Sequence, residues 1–108
     1  MVEIELVRKN FQVKHKGKEY DFTIKELTGY EKDLLLHKVS KIDLVDGKAK
    51  VTIDNPELKK TLFLFSVEKA WVSNVECIPI EIVDKLPKNV YEEVHKAIDK
   101  LNNVDEAF

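Results

Sequence analysis

Phe11-Gln12-Val13-Lys14-His15-Lys16-Gly17-Lys18-Glu19-Tyr20-Asp21-Phe22-Thr23-Ile24-Lys25 is the stretch that decides the fold. Phe11 and Val13 stand two apart before a polar break, and Tyr20, Phe22 and Ile24 stand two apart after it. Successive side chains of a strand point to opposite faces, so each set lies on one face and leaves Lys and Glu toward water. Within His15-Lys16-Gly17-Lys18, Gly17 supplies the positive φ that a tight turn requires. The spacing predicts an antiparallel hairpin over about 11–25. Upstream, Val2, Ile4 and Leu6 repeat the alternation and predict its extension or a neighbouring strand.

Downstream the period changes. Thr28 followed three residues later by Glu31 is the capping-box spacing, in which two side chains satisfy orphan amides reciprocally. Leu35, Val39 and Ile42 give an inward stripe, and a helix over 28–40 is predicted. Asp46-Gly47, set between Ile42-Asp43-Leu44-Val45 and the alternating Ala49, Val51 and Ile53, predicts a second hairpin over 42–53. Asn55, Pro56 and Glu57 mark the start of a helix over 56–72. Its apolar residues from 62 to 72 point almost all round the axis. A buried strand across 62–67 is the rival reading, but the start signals and Glu68-Lys69-Ala70 favour the helix. Residues 73–79 read as irregular, with a short strand at about 75–78. Pro79 opens one helical turn through Ile80, Val83 and Leu86. After Pro87, the stripe Val90, Val94, Ala97, Ile98 and Leu101 predicts a last helix over 88–102, with 104–108 frayed. The expected architecture is α+β, one domain over 1–108.

Composition narrows the function classes. The chain has 108 residues, 44% hydrophobic and 35% charged, which suits one ordinary globule. Eighteen Lys and Arg against twenty Asp and Glu leave a net charge of -2, so a chain-wide basic field for nucleic acid is absent. No apolar run reaches the roughly 18 residues of a membrane span, and Met1-Val2-Glu3-Ile4-Glu5 does not read as a signal peptide. Cys77 is alone, which excludes an internal disulfide and fits a reducing compartment. His15, His37 and His95 are far apart and read as separate surface or edge residues, so no metal site is expected. Glu81 with Asp84, and Glu92 with Glu93, read as solvated helix faces and not as acid–base pairs. No phosphate-cradling glycine loop, nucleophile elbow or zinc-protease motif occurs. The chain reads as non-enzymatic, without cofactors.

Two features remain. Arg8, Lys9, Lys14, Lys16 and Lys18 form a basic run without an acid, a candidate patch for an acidic partner or a nucleic acid, or a device that protects a sheet edge. Leu62, Phe63, Phe65, Val67 and Trp71 carry more apolar surface than one stripe needs. They are either an enclosed core helix or a face for a protein partner or a second copy.

Leu27-Thr28-Gly29-Tyr30-Glu31-Lys32-Asp33-Leu34-Leu35 resembles the opening of the first helix of small tail assembly chaperones of tailed phages and prophages. Ile78-Pro79-Ile80-Glu81-Ile82-Val83-Asp84-Lys85-Leu86-Pro87-Lys88-Asn89-Val90-Tyr91-Glu92-Glu93, with Leu101-Asn102, resembles their C-terminal hydrophobic turn, Leu-Pro and acidic helix. The resemblance covers about 20–102. It implies a non-enzymatic protein of the host bacterial cytoplasm that binds the tape measure protein, keeps it soluble and helps recruit tail tube subunits. It also implies that a longer frameshifted form exists in many relatives. A structural tail or head–tail component is the neighbouring alternative.

Overall fold

A computed structural model describes residues 4–38, 42–45, 48–51 and 56–102. β1 (Arg8–His15) and β2 (Lys18–Lys25) form the expected hairpin, beginning three residues earlier than the alternation of Phe11 and Val13 suggested. Phe11 stands opposite Phe22 and Val13 opposite Tyr20. The Phe11 and Phe22 rings stack with centroids 5.4 Å apart. The turn between the strands puts Lys16 at φ 49° and Gly17 at φ 78°, as a two-residue connection of primed type needs. Residues 4–7 form no strand, although Glu26 N–H still bonds the Val7 carbonyl at 2.8 Å. Of the upstream alternation, Ile4 is exposed and Leu6 half-buried outside any strand, and Val2 lies outside the described residues.

The capping box closes as its spacing demands. Glu31 N–H donates to Thr28 Oγ1 at 3.1 Å, and Thr28 N–H donates to Glu31 Oε1 at 3.0 Å. α1 (Gly29–Lys38) starts there, and residues 39 and 40 of the expected helix lie outside the described residues. Burial raises the Glu31 carboxyl pKa, but the Lys25 ammonium at 2.7 Å and the bonds from Thr28 outweigh it and hold the pKa below its ordinary value. β3 (Ile42–Val45) and β4 (Lys48–Val51) pair antiparallel, closing on Val45 and Lys48. The Asp46-Gly47 turn, the rest of the 42–53 hairpin, the Asn55 cap and the 104–108 tail lie outside the described residues.

The expected helix over 56–72 requires a correction. α2 (Pro56–Ser66) begins as expected but stops at Ser66, and the chain passes directly into β5 (Val67–Val72). Nor does the rival strand across 62–67 form, because Leu62 to Ser66 are helical. The cause is a bulge. Thr23 pairs with Lys69 while the next residue, Ile24, pairs with Val67, so Glu68 is an extra residue in the ladder. That insertion places Val67 and Ala70 both toward the core at a spacing of three, which imitates a helical stripe. Ser66 sits at the junction, fully buried, and its hydroxyl has no hydrogen-bond partner among the described residues.

β6 (Val75–Cys77) returns alongside β5 and completes an antiparallel sheet of order β1-β2-β5-β6. The turn between them was unmarked in sequence because it contains no glycine. Ser73 and Asn74 adopt φ 50° and 67°, and Val72 pairs with Val75. Non-glycine residues hold this conformation at a cost, so Ser73→Asn/Asn74→Gly is expected to raise unfolding free energy by about 1 kcal/mol. Urea denaturation with an unchanged slope checks it. α3 (Pro79–Ile82) is the short turn opened by Pro79, and α4 (Lys88–Asn102) matches the last expected helix at both ends. Asn102 Oδ1 accepts the Leu27 amide at 2.9 Å and fastens the end of α4 to the start of α1.

One face of the sheet is covered. Tyr20, Phe22 and Ile24 of β2 and Val67 and Ala70 of β5 meet Leu58, Leu62 and Phe63 of α2 and Val90, Val94 and Ile98 of α4. His95 is also buried, at 9% exposure, so its reading as a surface residue is wrong. It lies beside the predicted stripe, four residues after Tyr91, whose ring it meets edge-on at 4.5 Å.

Candidate protein-binding face

The opposite face of the sheet is polar and open. Alternation puts Asn10 and Gln12 of β1, Asp21 and Thr23 of β2, Lys69 and Trp71 of β5 and Glu76 of β6 on it. The register aligns Gln12, Asp21, Trp71 and Glu76 as one row across all four strands. Gln12 Nε2 donates to Asp21 Oδ1 at 3.0 Å, and Thr23 Oγ1 donates to Asn10 Oδ1 at 2.7 Å. These residues, with Asn74, line an open depression of about 640 Å³ at Trp71. Arg8 reaches the bulge residue Glu68 and forms an ion pair across this face.

At the free edge beyond β6 the surface turns apolar. Val75, Ile78 and Ile80 are 64%, 57% and 63% exposed. Ile78 keeps an extended backbone, φ -82° and ψ 123°, so β6 continues in direction up to Pro79. Three large aliphatic side chains are exposed within six residues along this edge, Val75 on the helix-side face with Cys77 and Ile78 on the open face with Glu76. Cys77, between them, faces Ala70 and is half-buried, its thiol 3.3 Å from the Val75 carbonyl.

The residues singled out in the sequence separate in space. Leu62, Phe63 and Val67 are core, Phe65 is half-buried against it, and Trp71 alone reaches the open face. The five do not form one surface. The basic run also divides. Arg8 and Lys14 belong to the open face, Lys9 faces the helix side, and Lys16 and Lys18 sit at the hairpin tip. Arg8 is neutralised by Glu68, and Glu19 and Asp21 adjoin Lys14, which opposes a phosphate backbone on this face. The exposure of Val75, Ile78 and Ile80 carries no signal in the sequence, because it depends on β6 being an edge strand.

Three of the four acids of the two pairs meet lysines. Asp84 meets Lys60 at 3.1 Å, Glu92 meets Lys88 at 3.8 Å and Glu93 meets Lys96 at 3.4 Å. No group of three or more His, Cys, Asp or Glu among the described residues could hold a metal ion. No helix among them is long and apolar enough to cross a membrane. Set against models of protein families, against characterised proteins and against solved structures, the chain matches none of them.

Proposed function

We propose that this chain is a non-enzymatic tail assembly chaperone of a tailed phage or prophage, acting in the host bacterial cytoplasm. It holds an apolar segment of the tape measure protein and helps recruit tail tube subunits. The observation that carries the binding reading is the ledge of Val75, Ile78 and Ile80 at the β6 edge, flanked by the half-exposed Trp71. The resemblance of 27–35 and 78–93 to that family supplies the choice of client. β6 is only three residues long, so backbone pairing is a small part of the attraction. Aliphatic contact with one stripe of an amphipathic client helix supplies the rest, at the moderate affinity a chaperone needs in order to release.

The test is co-expression with a tape measure protein, followed by measurement of its soluble fraction and co-purification. The wild type is expected to keep the client soluble and to co-purify with it. Ile78→Glu/Ile80→Glu is expected to reduce co-purification about tenfold or more, while the thermal midpoint stays close to wild type because both side chains are already in water. Undiminished co-purification by a folded double variant would remove the ledge as the client site.

A further inference from the structure

We propose that the Trp71 depression takes the lysine-bearing hairpin tip of a second copy of this chain, so that the protein self-associates by charge complementarity. On the two strands flanking β5, the residues in register with Trp71 are both carboxylates, Asp21 and Glu76. An indole face between two carboxylates is an arrangement for a cation: the ring quadrupole attracts an ammonium and the acids neutralise it. Neither acid has a cationic partner among the described residues. Asp21 accepts only the neutral Gln12 amide, and Glu76 makes no ion pair. The complementary group is on the same chain. Lys16 in the β1–β2 turn and Lys14 beside it on the open face are exposed and form no ion pair among the described residues, while Lys18 shares the helix-side face of β2 with Tyr20.

The tip and the row lie at different heights on one sheet face. Asp21 is three residues from Lys18 along β2, about 10 Å at strand rise. Lys16, beyond Lys18 in the turn, therefore does not reach its own row, whereas Lys14 lies beside Asp21 on the same face. A two-fold axis lying in the interface and crossing the strands midway between them sets each tip over the Gln12–Asp21 end of the partner's row, next to Trp71. Both contacts then form at once, as an isologous dimer requires. Lysine side chains span the gap between the two polar faces, leaving the apolar ledge at the β6 edge outside the contact. The self-association and the client reading thus stand or fall separately.

Trp71 is the only tryptophan of the chain, so its fluorescence reports on the depression directly. Sedimentation velocity and emission of the full chain are measured at low and high salt. The wild type is expected to associate at low salt with a concentration-dependent change in Trp71 emission, and to dissociate as salt screens the contact. Lys14→Glu/Lys16→Glu and Glu76→Lys are each expected to weaken association about tenfold or more. An equimolar mixture of these two proteins is expected to regain it, because in the mixed pair the acidic tip of one meets the lysine-bearing row of the other, while the second contact keeps the wild-type basic tip on the wild-type acidic row. A wild type that stays monomeric at low salt, or a mixture no better than its components, would overturn the proposal. So would loss of association in Ile78→Glu/Ile80→Glu alone, which would make the apolar ledge the interface. Polylysine shifting Trp71 emission in a strictly monomeric wild type would also overturn it, making a different basic protein the occupant.

Discussion

Phe63→Ala is expected to remove about 3–5 kcal/mol of folding free energy, which is a large fraction of the stability of a domain this size. Phe63 has no exposed surface. Its ring stacks on Tyr91 with centroids 5.8 Å apart and stands 6.3 Å from His95, joining α2 to α4 over the sheet. Truncation leaves a cavity whose walls are a strand face and two helices, and these cannot all close in together. Urea denaturation of the two proteins measures the difference. Trp71→Ala is the contrasting substitution: the indole is half-exposed on the open face, and its loss is expected to cost far less. Equal costs at the two positions would contradict the assignment of Phe63 to the core and Trp71 to the surface.

The second large effect is acid sensitivity through His95. Burial lowers the imidazole pKa to about 4, with the nearby Lys59 ammonium adding to the shift. Its Nε2 has no hydrogen-bond partner among the described residues, so the neutral ring is the form the site accepts. In the unfolded chain the group titrates near 6.5. Between these values the unfolded state binds the proton that the folded state refuses. The stability contributed by neutral His95 is therefore intact above about pH 6.5 and is lost as pH falls toward 4. The full loss is on the order of 3 kcal/mol. Tyr91, Glu92, Lys96 and Asp99 share this corner, and the Asp99 carboxyl pKa is raised by burial against the lowering effect of Lys59. Comparison with His95→Leu isolates the histidine. The wild type is expected to weaken steadily from pH 6.5 to 4.5, and the variant to lose most of that slope. Parallel stability curves for the two proteins would contradict the account. Phe63→Ala opens the same pocket to water, so its effect and that of His95→Leu should not add.

Much of the fold was legible where one signal acted alone. The last helix follows from a regular stripe behind Leu86-Pro87, and α1 from the reciprocal spacing of Thr28 and Glu31. The first hairpin follows from period-two alternation around Gly17. Legibility failed where two periods met. α2 hands over to β5 between Ser66 and Val67 with no turn residue, and the bulge at Glu68 gives a strand the spacing of a helix. His95 was misread because a lone histidine beside a stripe is polar by type, and only the ring cluster with Phe63 and Tyr91 makes it core. The Ser73-Asn74 turn was missed because serine and asparagine carry the positive φ that glycine usually advertises.

The site was less legible than the fold, for a physical reason. Apolar density in a sequence marks core and interface alike, and residues 62–67 are dense because they are core. The exposed apolar ledge at Val75, Ile78 and Ile80 is sparse and interrupted by Glu76, Cys77 and Pro79. It becomes a surface only because β6 has no neighbour on its far side among the described residues. Trp71 was singled out as one anchor of a helix face and instead stands on an open strand face between Asp21 and Glu76.

The most direct test of the central claim is residue-resolved amide hydrogen exchange of the protein alone and of its co-purified complex with a tape measure protein. The account predicts new protection at residues 75–80, where side chains and edge amides are open in the free protein, with little change in the already protected core strands. New protection confined to the 8–18 hairpin or to α2, with 75–80 exchanging as in the free protein, would contradict it.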